Sequence, residues 1–326
     1  AGDRTPYLDE VTFRFYPTVA SAVAALGEHE VQAMGDLPPD AVGVLGEDAR
    51  LYVAQQPGYS LVYLNTANVL FAEAEVRHAL SMAVDRQGLV QDPDVVNGQG
   101  VVARSPITPA SWAFDTSIPP PVYDPAAASA LLDARGWVDS DGDGVRDREG
   151  KALRFSLASR DDALSLATSA RLRDGWSAIG IDVTVQPMNQ PATVATLVNR
   201  AFDAVLFRWD LRQYDPDPYP LWHSSQGSEG QNYGGFANVE TDRLLAEGRR
   251  VSPDDSAERS RLYRAFQQIF ATEEPALLLY HPVYTYAVVD PGLGGVQLPP
   301  MLVESADRFM SLPDWYVRTE RVFFNR

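Results

Sequence analysis

Apolar residues recur along this chain with two periods, near two in some stretches and near three and a half in others. Tyr7–Tyr16 alternates: Val11, Phe13 and Phe15 share one face and Thr12 and Arg14 the other, so a strand is expected, ended by Pro17. Thr18 opens an Ala-rich helix to about Glu28, with Val19, Val23 and Leu26 on its stripe. Gly35–Pro39 reads as a turn and Leu51–Ala54 as a short strand. Tyr59–Asn65 is a further strand. Helical spacing follows from Ala74 to Val90, with Val76, Leu80, Ala83 and Val84 inward. Residues 97–123 are rich in Gly, Pro and Ser and read as a long loop carrying Trp112 and Phe114. Asp124-Pro125 starts a helix that Gly136 stops, with Leu131 and Leu132 inward.

The second half continues the alternation. Leu153–Leu157 and Ile181–Gln186 are expected strands, and Leu164–Ile179 and Thr193–Arg200 expected helices. Asn238 caps a helix to about Arg250, and Ser252-Pro253 starts another to about Thr272, burying Leu262, Phe266, Ile269 and Phe270. Pro275–Tyr280 and Val283–Val289 are two more strands, Pro291–Gly295 a loop, and the tail carries Trp315, Phe323 and Phe324. Strands alternating with helices give an α/β fold with a mixed sheet flanked by helices.

The stretch 202–226 organises the rest. Ala204, Leu206 and Arg208 alternate with Val205, Phe207 and Trp209, and both faces are largely apolar, as in a strand covered on both sides. Asp215-Pro216 and Asp217-Pro218 then break the ladder, because each proline lacks a donor and restricts its predecessor. Trp209, Tyr214, Tyr219 and Trp222 lie close together around that break, which suits a ligand wall and equally a core strand with its turn.

Composition narrows the chemistry. The 326 residues are enough for two domains, and 45% hydrophobic with 22% charged residues is ordinary for a globular chain. A net charge of -17 makes binding to nucleic acid or an anionic membrane surface unfavourable. No cysteine is present, which removes disulfides and thiolate chemistry. No apolar run is long enough to span a bilayer, and Ala1–Pro6 has no signal-peptide pattern, so a signal for export would lie upstream. The serine elbow, zincin and dinucleotide motifs are missing, and nothing calls for a cofactor or a resident metal. Asp215, Asp217 and His223 leave a hydrolase open as an alternative. Asp139–Asp147 places acids at positions 1, 3, 5 and 9 of a calcium-type loop, with Gly144 at position 6 and Gly150 where the closing Glu belongs, so it reads either as a weak calcium loop or as an acidic turn.

Several separate stretches resemble the extracytoplasmic solute-binding proteins of ABC importers, in family 5, the dipeptide, oligopeptide and nickel class. They are Pro6-Tyr-Leu-Asp-Glu-Val-Thr-Phe13; Leu64-Asn65 with Glu75-Val-Arg-His-Ala-Leu-Ser-Met-Ala-Val-Asp-Arg86; Tyr123-Asp-Pro-Ala126 with Leu131-Leu132 and Gly136-Trp137; the Asp139–Gly144 turn; Ile179-Gly-Ile-Asp-Val183; Phe202-Asp-Ala204 through Trp222-His-Ser-Ser225; Asn232-Tyr-Gly-Gly235 with Asn238; and Leu262-Tyr263 through Pro282-Val-Tyr284. They occur in the family's order across nearly the whole chain.

The resemblance implies a periplasmic-binding-protein fold of the clamp type (type II) and a further segment on the N-terminal side. Residues 1–58 and 285–326 would be the remaining part of the first lobe and 59–284 the second, ligand-binding lobe, with crossovers near Tyr59–Asn65 and Tyr280–Val289 as the hinge. It implies a small polar ligand, a peptide or similar, captured between lobes and presented to an ABC-transporter permease outside the cytoplasm. Any membrane contact would come through the permease or an upstream lipid anchor. In peptide-binding relatives the organising strand pairs with the ligand backbone and its tryptophan packs on the ligand. Trp209 matches that tryptophan, with Arg208 and Asp210 beside it. Three residues on, where those relatives carry an aspartate for the peptide amine, this chain has Arg212. A fixed cation there would favour a carboxylate or hydroxyl and give an oligosaccharide or other non-peptide solute more weight. Tyr214 and Trp222 would add stacking area, Asp217 polar specificity, and Asn65, Asn232 and Tyr233 secondary contacts.

Overall fold

The computed structural model describes residues 6–318. Phe323 and Phe324 lie outside the described residues. In chain order the elements are α1 (Val19–Gly27), β1 (Ala33–Gly35), β2 (Arg50–Gln55), β3 (Gly58–Leu64), α2 (Ala74–Met82), α3 (Arg86–Gln91), β4 (Gly100–Val102) and α4 (Pro125–Ala134). A small hairpin, β5 (Asp147–Arg148) and β6 (Lys151–Ala152), precedes β7 (Arg154–Arg160), α5 (Ala163–Ser177), β8 (Asp182–Met188), α6 (Gln190–Val198) and β9 (Ala204–Asp210). Then come α7 (Tyr219–Trp222), α8 (Val239–Arg250), α9 (Ser256–Glu273), β10 (Ala276–Val288), β11 (Leu293–Gly294) and β12 (Tyr316–Val317). The chain divides into two compact units, residues 1–56 with 283–326, and residues 57–282.

In the first unit β1 and β2 both pair antiparallel with β10 from Val283 onward. Tyr284, Tyr286, Val288, Leu302 and Trp315 form its main apolar cluster. The expected strand Tyr7–Tyr16 does not form. Its residues are irregular, and Phe15 is 93% exposed. Alternation makes a strand only where a neighbour supplies the other half of the ladder, and no described strand lies beside it. Phe13 instead meets Phe309 edge-on, with ring centroids 5.4 Å apart.

The second unit is built on a mixed sheet in the order β10-β3-β9-β7-β8. β3 runs antiparallel to β10 and β9, whereas β7 runs parallel to β8 and β9. Strands covered on both sides need apolar residues in both alternating sets, and β9 has them. Ala204 and Leu206 face a cluster with Leu80, Leu132, Leu172 and Trp176 of α2, α4 and α5. Val205 faces the opposite cluster, with Leu221, Leu244, Leu262, Phe266 and Phe270 of α7, α8 and α9. Six helices here begin on an Asp or Asn whose side-chain oxygen accepts a main-chain N–H: Asp85, Asp124, Asp162, Asn189, Asn238 and Asp255. Each such cap contributes about 1 kcal/mol.

Three expected elements change at their ends. The helix expected over Ala74–Val90 is two, because Asp85 accepts the Gly88 N–H at 2.8 Å and caps a second start. Asp255, not Ser252, caps α9 for the same reason. The two strands expected over 275–289 are a single β10, with a register shift between Leu278 and Tyr280. Within the loop 97–123, Gly100–Val102 forms a short strand against Tyr280–Pro282.

Candidate functional site at the open end of strand nine

Strand β9 is paired along its full length on one side only. Its ladder with β3 runs from Leu64↔Ala204 to Gly58↔Asp210. Its ladder with β7 covers only Leu157↔Ala204 and Ala158↔Val205, although β7 continues beside β8 as far as Arg160↔Met188. The direction of the free groups follows from the ends of the β3 ladder. The Leu211 N–H donates to the Pro57 carbonyl at 3.0 Å and the Asn65 N–H to the Asp203 carbonyl at 2.9 Å. Odd-numbered residues of β9 therefore turn their main-chain groups to β3, and those of Arg208 and Asp210 turn the other way. Gly58 lets the strands close here: a Cβ on it would stand 2.2 Å from the Trp209 carbonyl oxygen.

Side chains follow the same alternation. Trp209 continues the row of Val205 and Phe207. It is half-buried, its indole N–H donates to the Tyr63 hydroxyl at 2.8 Å, and its ring stacks on Tyr233 at 1° between planes and 6.2 Å between centroids. The Arg200 guanidinium lies 5.5 Å from the other partner of that stack, the Tyr233 ring. Arg208, on the opposite face, lines a cavity of about 180 Å³ between β9, the end of β7 and the starts of α5 and α6. Arg160, Asp162, Ser60, Tyr280 and Leu206 are among its walls. The cavity lies at the carboxyl ends of β7 and β9, the position where open α/β sheets take ligands.

The remaining residues named from the sequence fall into different places. Trp222 is 1% exposed and packs against Tyr63 and Phe270, so it is a core residue and offers no stacking surface. Asn232 is fully buried: its amide donates to the His223 and Phe236 carbonyls and its oxygen accepts the Phe236 N–H, which consumes it in a turn. Asn65 is likewise spent, on the Phe202 carbonyl at 3.0 Å and the Ala67 N–H at 3.1 Å. Asp217 is held by Arg249 through both carboxylate oxygens, and Asp215 by Arg259 at 2.9 Å. Two carboxylates each fixed by its own arginine are not poised as a hydrolytic pair. Arg212, at a left-handed φ of 43°, places its Nε 2.8 Å from Asp210. The fixed cation expected there is thus neutralised by its neighbour. Tyr214 is half-exposed in the loop that follows.

Sequence reasoning missed Arg160, Asp162 and Tyr280. The first two sit just past the expected end of a buried strand, and polar residues there were the available signal. Tyr280 was hidden inside an apolar run. In the acidic loop, the Asp139, Asp141 and Asp143 carboxylates lie within 4.8 Å of one another, all exposed. They accept N–H groups of Gly142, Gly144, Asp143 and Val145, as a tight turn requires, while Asp147 is bound by Ser140.

Residues 2–231 match the model for bacterial extracellular solute-binding proteins, family 5. The chain belongs to that family. Among curated relatives, this family 5 chain is 32% identical over 284 residues to the oligopeptide-binding protein AppA of Bacillus subtilis, covering 85% of this chain and 51% of AppA. It is 26% identical over 296 residues to a dipeptide-binding protein of Pseudomonas aeruginosa, covering 90% of this chain and 53% of that one. It thus spans about half the length of the curated relatives it matches. The solved structure of AppA from Bacillus subtilis, in complex with a nonapeptide, superposes with a TM-score of 0.73 at 29% identity, over 96% of this chain and 61% of AppA. HbpA2 from Haemophilus parasuis superposes at 0.80 over 96% of this chain and 59% of HbpA2; at 19% identity this speaks for the fold alone. The fold is the α/β fold of type II periplasmic binding proteins. The family is one of binding proteins, not enzymes. Among the described residues no helix is long and apolar enough to cross a membrane.

Proposed function

We propose that this chain is the ligand-holding part of the solute-binding component of an ABC importer, and that its ligand is a peptide held in extended form along β9. One observation carries the choice of a peptide. The main-chain groups of Arg208 and Asp210 face a gap where the β7 ladder has ended. An unpaired strand edge is a template for another strand, and an extended peptide satisfies it with main-chain hydrogen bonds whatever its side chains. The half-buried Trp209–Tyr233 stack beside that edge gives an apolar face for a side chain. AppA, bound to a nonapeptide in its solved structure, supports the same reading.

The family places such proteins outside the cytoplasm, and we take this chain to work there, handing its ligand to a membrane permease. We assign residues 1–58 with 285–326 to one lobe of the binding protein and residues 59–284 to the other. Neutralisation of Arg212 by Asp210 removes the main argument for a sugar.

Calorimetric titration with a tripeptide, its backbone N-methylated analogue and a maltotriose control tests this. We expect the tripeptide to bind and a methyl on the amide facing β9 to weaken it about three- to tenfold, the value of one main-chain hydrogen bond. Binding of maltotriose without the tripeptide would sink the proposal.

A further inference from the structure

The cavity beside β9 holds three formal charges, Arg160, Arg208 and Asp162. Two of them cancel. The Arg160 Nε lies 3.0 Å from Asp162 Oδ2, and Asp162 also accepts the N–H and the hydroxyl of Ser165 at 3.0 Å each, as the cap of α5. Its oxygens are committed. Arg208 makes no ion pair with any described carboxylate, and it lines the same cavity as Tyr280. Tyr280 is 1% exposed and Ser60 4%, and both line the cavity, each with a hydroxyl that is able to donate. One surplus positive charge, with a hydroxyl donor beside it, therefore lines a concavity in a chain whose net charge is -17.

We propose that this cavity is a carboxylate subsite, in which Arg208 pairs with a singly charged acidic group of the bound ligand and Tyr280 donates a second hydrogen bond. The proposal rests on the reading that β9 takes an extended peptide. Side chains of such a peptide alternate between the two faces of the strand it extends. One set meets the Trp209–Tyr233 face and the other this cavity, so the subsite selects an acidic side chain at one position. The volume, about 180 Å³, is more than ten times the ~10–15 Å³ that holds a single water, which leaves room for a carboxylate side chain. A single surplus charge matches a carboxylate better than a doubly charged phosphate.

The experiment is calorimetry on the protein and on its Arg208→Gln and Arg208→Lys variants, with Ala-Glu-Ala, Ala-Gln-Ala, propionate and inorganic phosphate as probes. We expect Ala-Glu-Ala to bind at least about tenfold more tightly than Ala-Gln-Ala, as a charge-assisted bond replaces a neutral one. The preference should fall to within about twofold in R208Q and survive in part in R208K, which also reports that the fold tolerates change at this exposed position. Equal binding of the two tripeptides overturns the subsite and leaves the peptide reading standing. Binding of propionate by the protein but not by R208Q, with neither tripeptide bound, keeps the subsite and sinks the peptide reading. Tighter binding of phosphate than of propionate overturns the assignment to a carboxylate, and no binding of any probe overturns both.

Discussion

Trp209 and Trp222 lie on the same face of the same sheet, and each donates its indole N–H to a tyrosine hydroxyl of β3. Trp209 reaches Tyr63 at 2.8 Å and Trp222 reaches Tyr59 at 3.2 Å. Tyr63 touches the surroundings of both, tilted against Trp222 at 5.8 Å and edge-on to Tyr233 at 6.0 Å. What separates the two indoles is cover. Helices α8 and α9 close over Trp222, which lies in α7, whereas the row beyond Phe207 runs out from under them and leaves Trp209 half-exposed. The same aromatic chemistry therefore makes a core at one end and a half-exposed face, which we propose meets the ligand, at the other, and the difference lies in distant elements, not in the indole itself.

The largest effect should come from breaking the covered member. Trp222→Ala removes a ring packed on Tyr63 and, at 4.7 Å, on Phe270, and leaves the buried Tyr59 hydroxyl without its donor. Phe or Trp truncated to Ala in a core costs about 3–5 kcal/mol. Urea unfolding should show a loss in that range, with peptide binding retained by the fraction still folded. A loss below about 1 kcal/mol would mean that Trp222 is not the core residue its burial indicates.

The covered end also carries a pH dependence. His281 is fully buried, edge-on to Tyr59 at 6.3 Å, and its Nδ1 lies 2.8 Å from the Gly58 carbonyl. Burial holds its imidazole down at about 4, against an ordinary value near 6.5. Between those values the unfolded chain binds a proton that the folded chain refuses. Stability from this group is complete above pH 6.5 and declines as pH falls toward 4, by about 3 kcal/mol in total. Unfolding at pH 7 and pH 4.5 should show most of that decline, and His281→Gln should flatten it. An unchanged slope in the variant would assign the acid sensitivity elsewhere.

How far the comparison was legible in the sequence follows from where its causes lie. The sheet-and-helix order could be read because period-two and helical stretches, with Asp and Asn caps before the helices, are local signals; Asp124 and Asn238 were found that way. That β9 gives way to a loop was legible as well, because the Asp-Pro pairs at 215–218 cannot continue a ladder, although the strand already ends at Asp210. Which indole stays covered was not, since it depends on α9 and β3, far away in sequence. Asn65, Asn232 and Asp217 looked like ligand contacts for the same reason: a polar side chain shows its type in sequence, and only the fold shows the carbonyl or arginine that already occupies it. Tyr7–Tyr16 failed in the opposite sense, as a strand pattern without a described neighbour. The cavity at Arg208 needed β7 and β9 side by side before Arg160 and Arg208 shared a wall.

The smallest change in stability should come from the uncovered member, together with a larger change in binding. Trp209→Ala loses the stack on Tyr233 and the hydrogen bond to Tyr63, but much of that ring was never removed from water. We expect a cost of about 1–2 kcal/mol in urea unfolding, well under that of Trp222→Ala. Tripeptide affinity should fall about three- to tenfold, as loss of an aromatic contact surface predicts. Trp209→Phe separates the two contributions, because it keeps a ring over Tyr233 and removes only the indole N–H. If the phenylalanine variant binds peptide like the parent, the ring face is what the ligand uses. If it binds as poorly as the alanine variant, the bond to Tyr63 fixes the ring's position, and Trp209 is held for its ligand by the same core that buries Trp222.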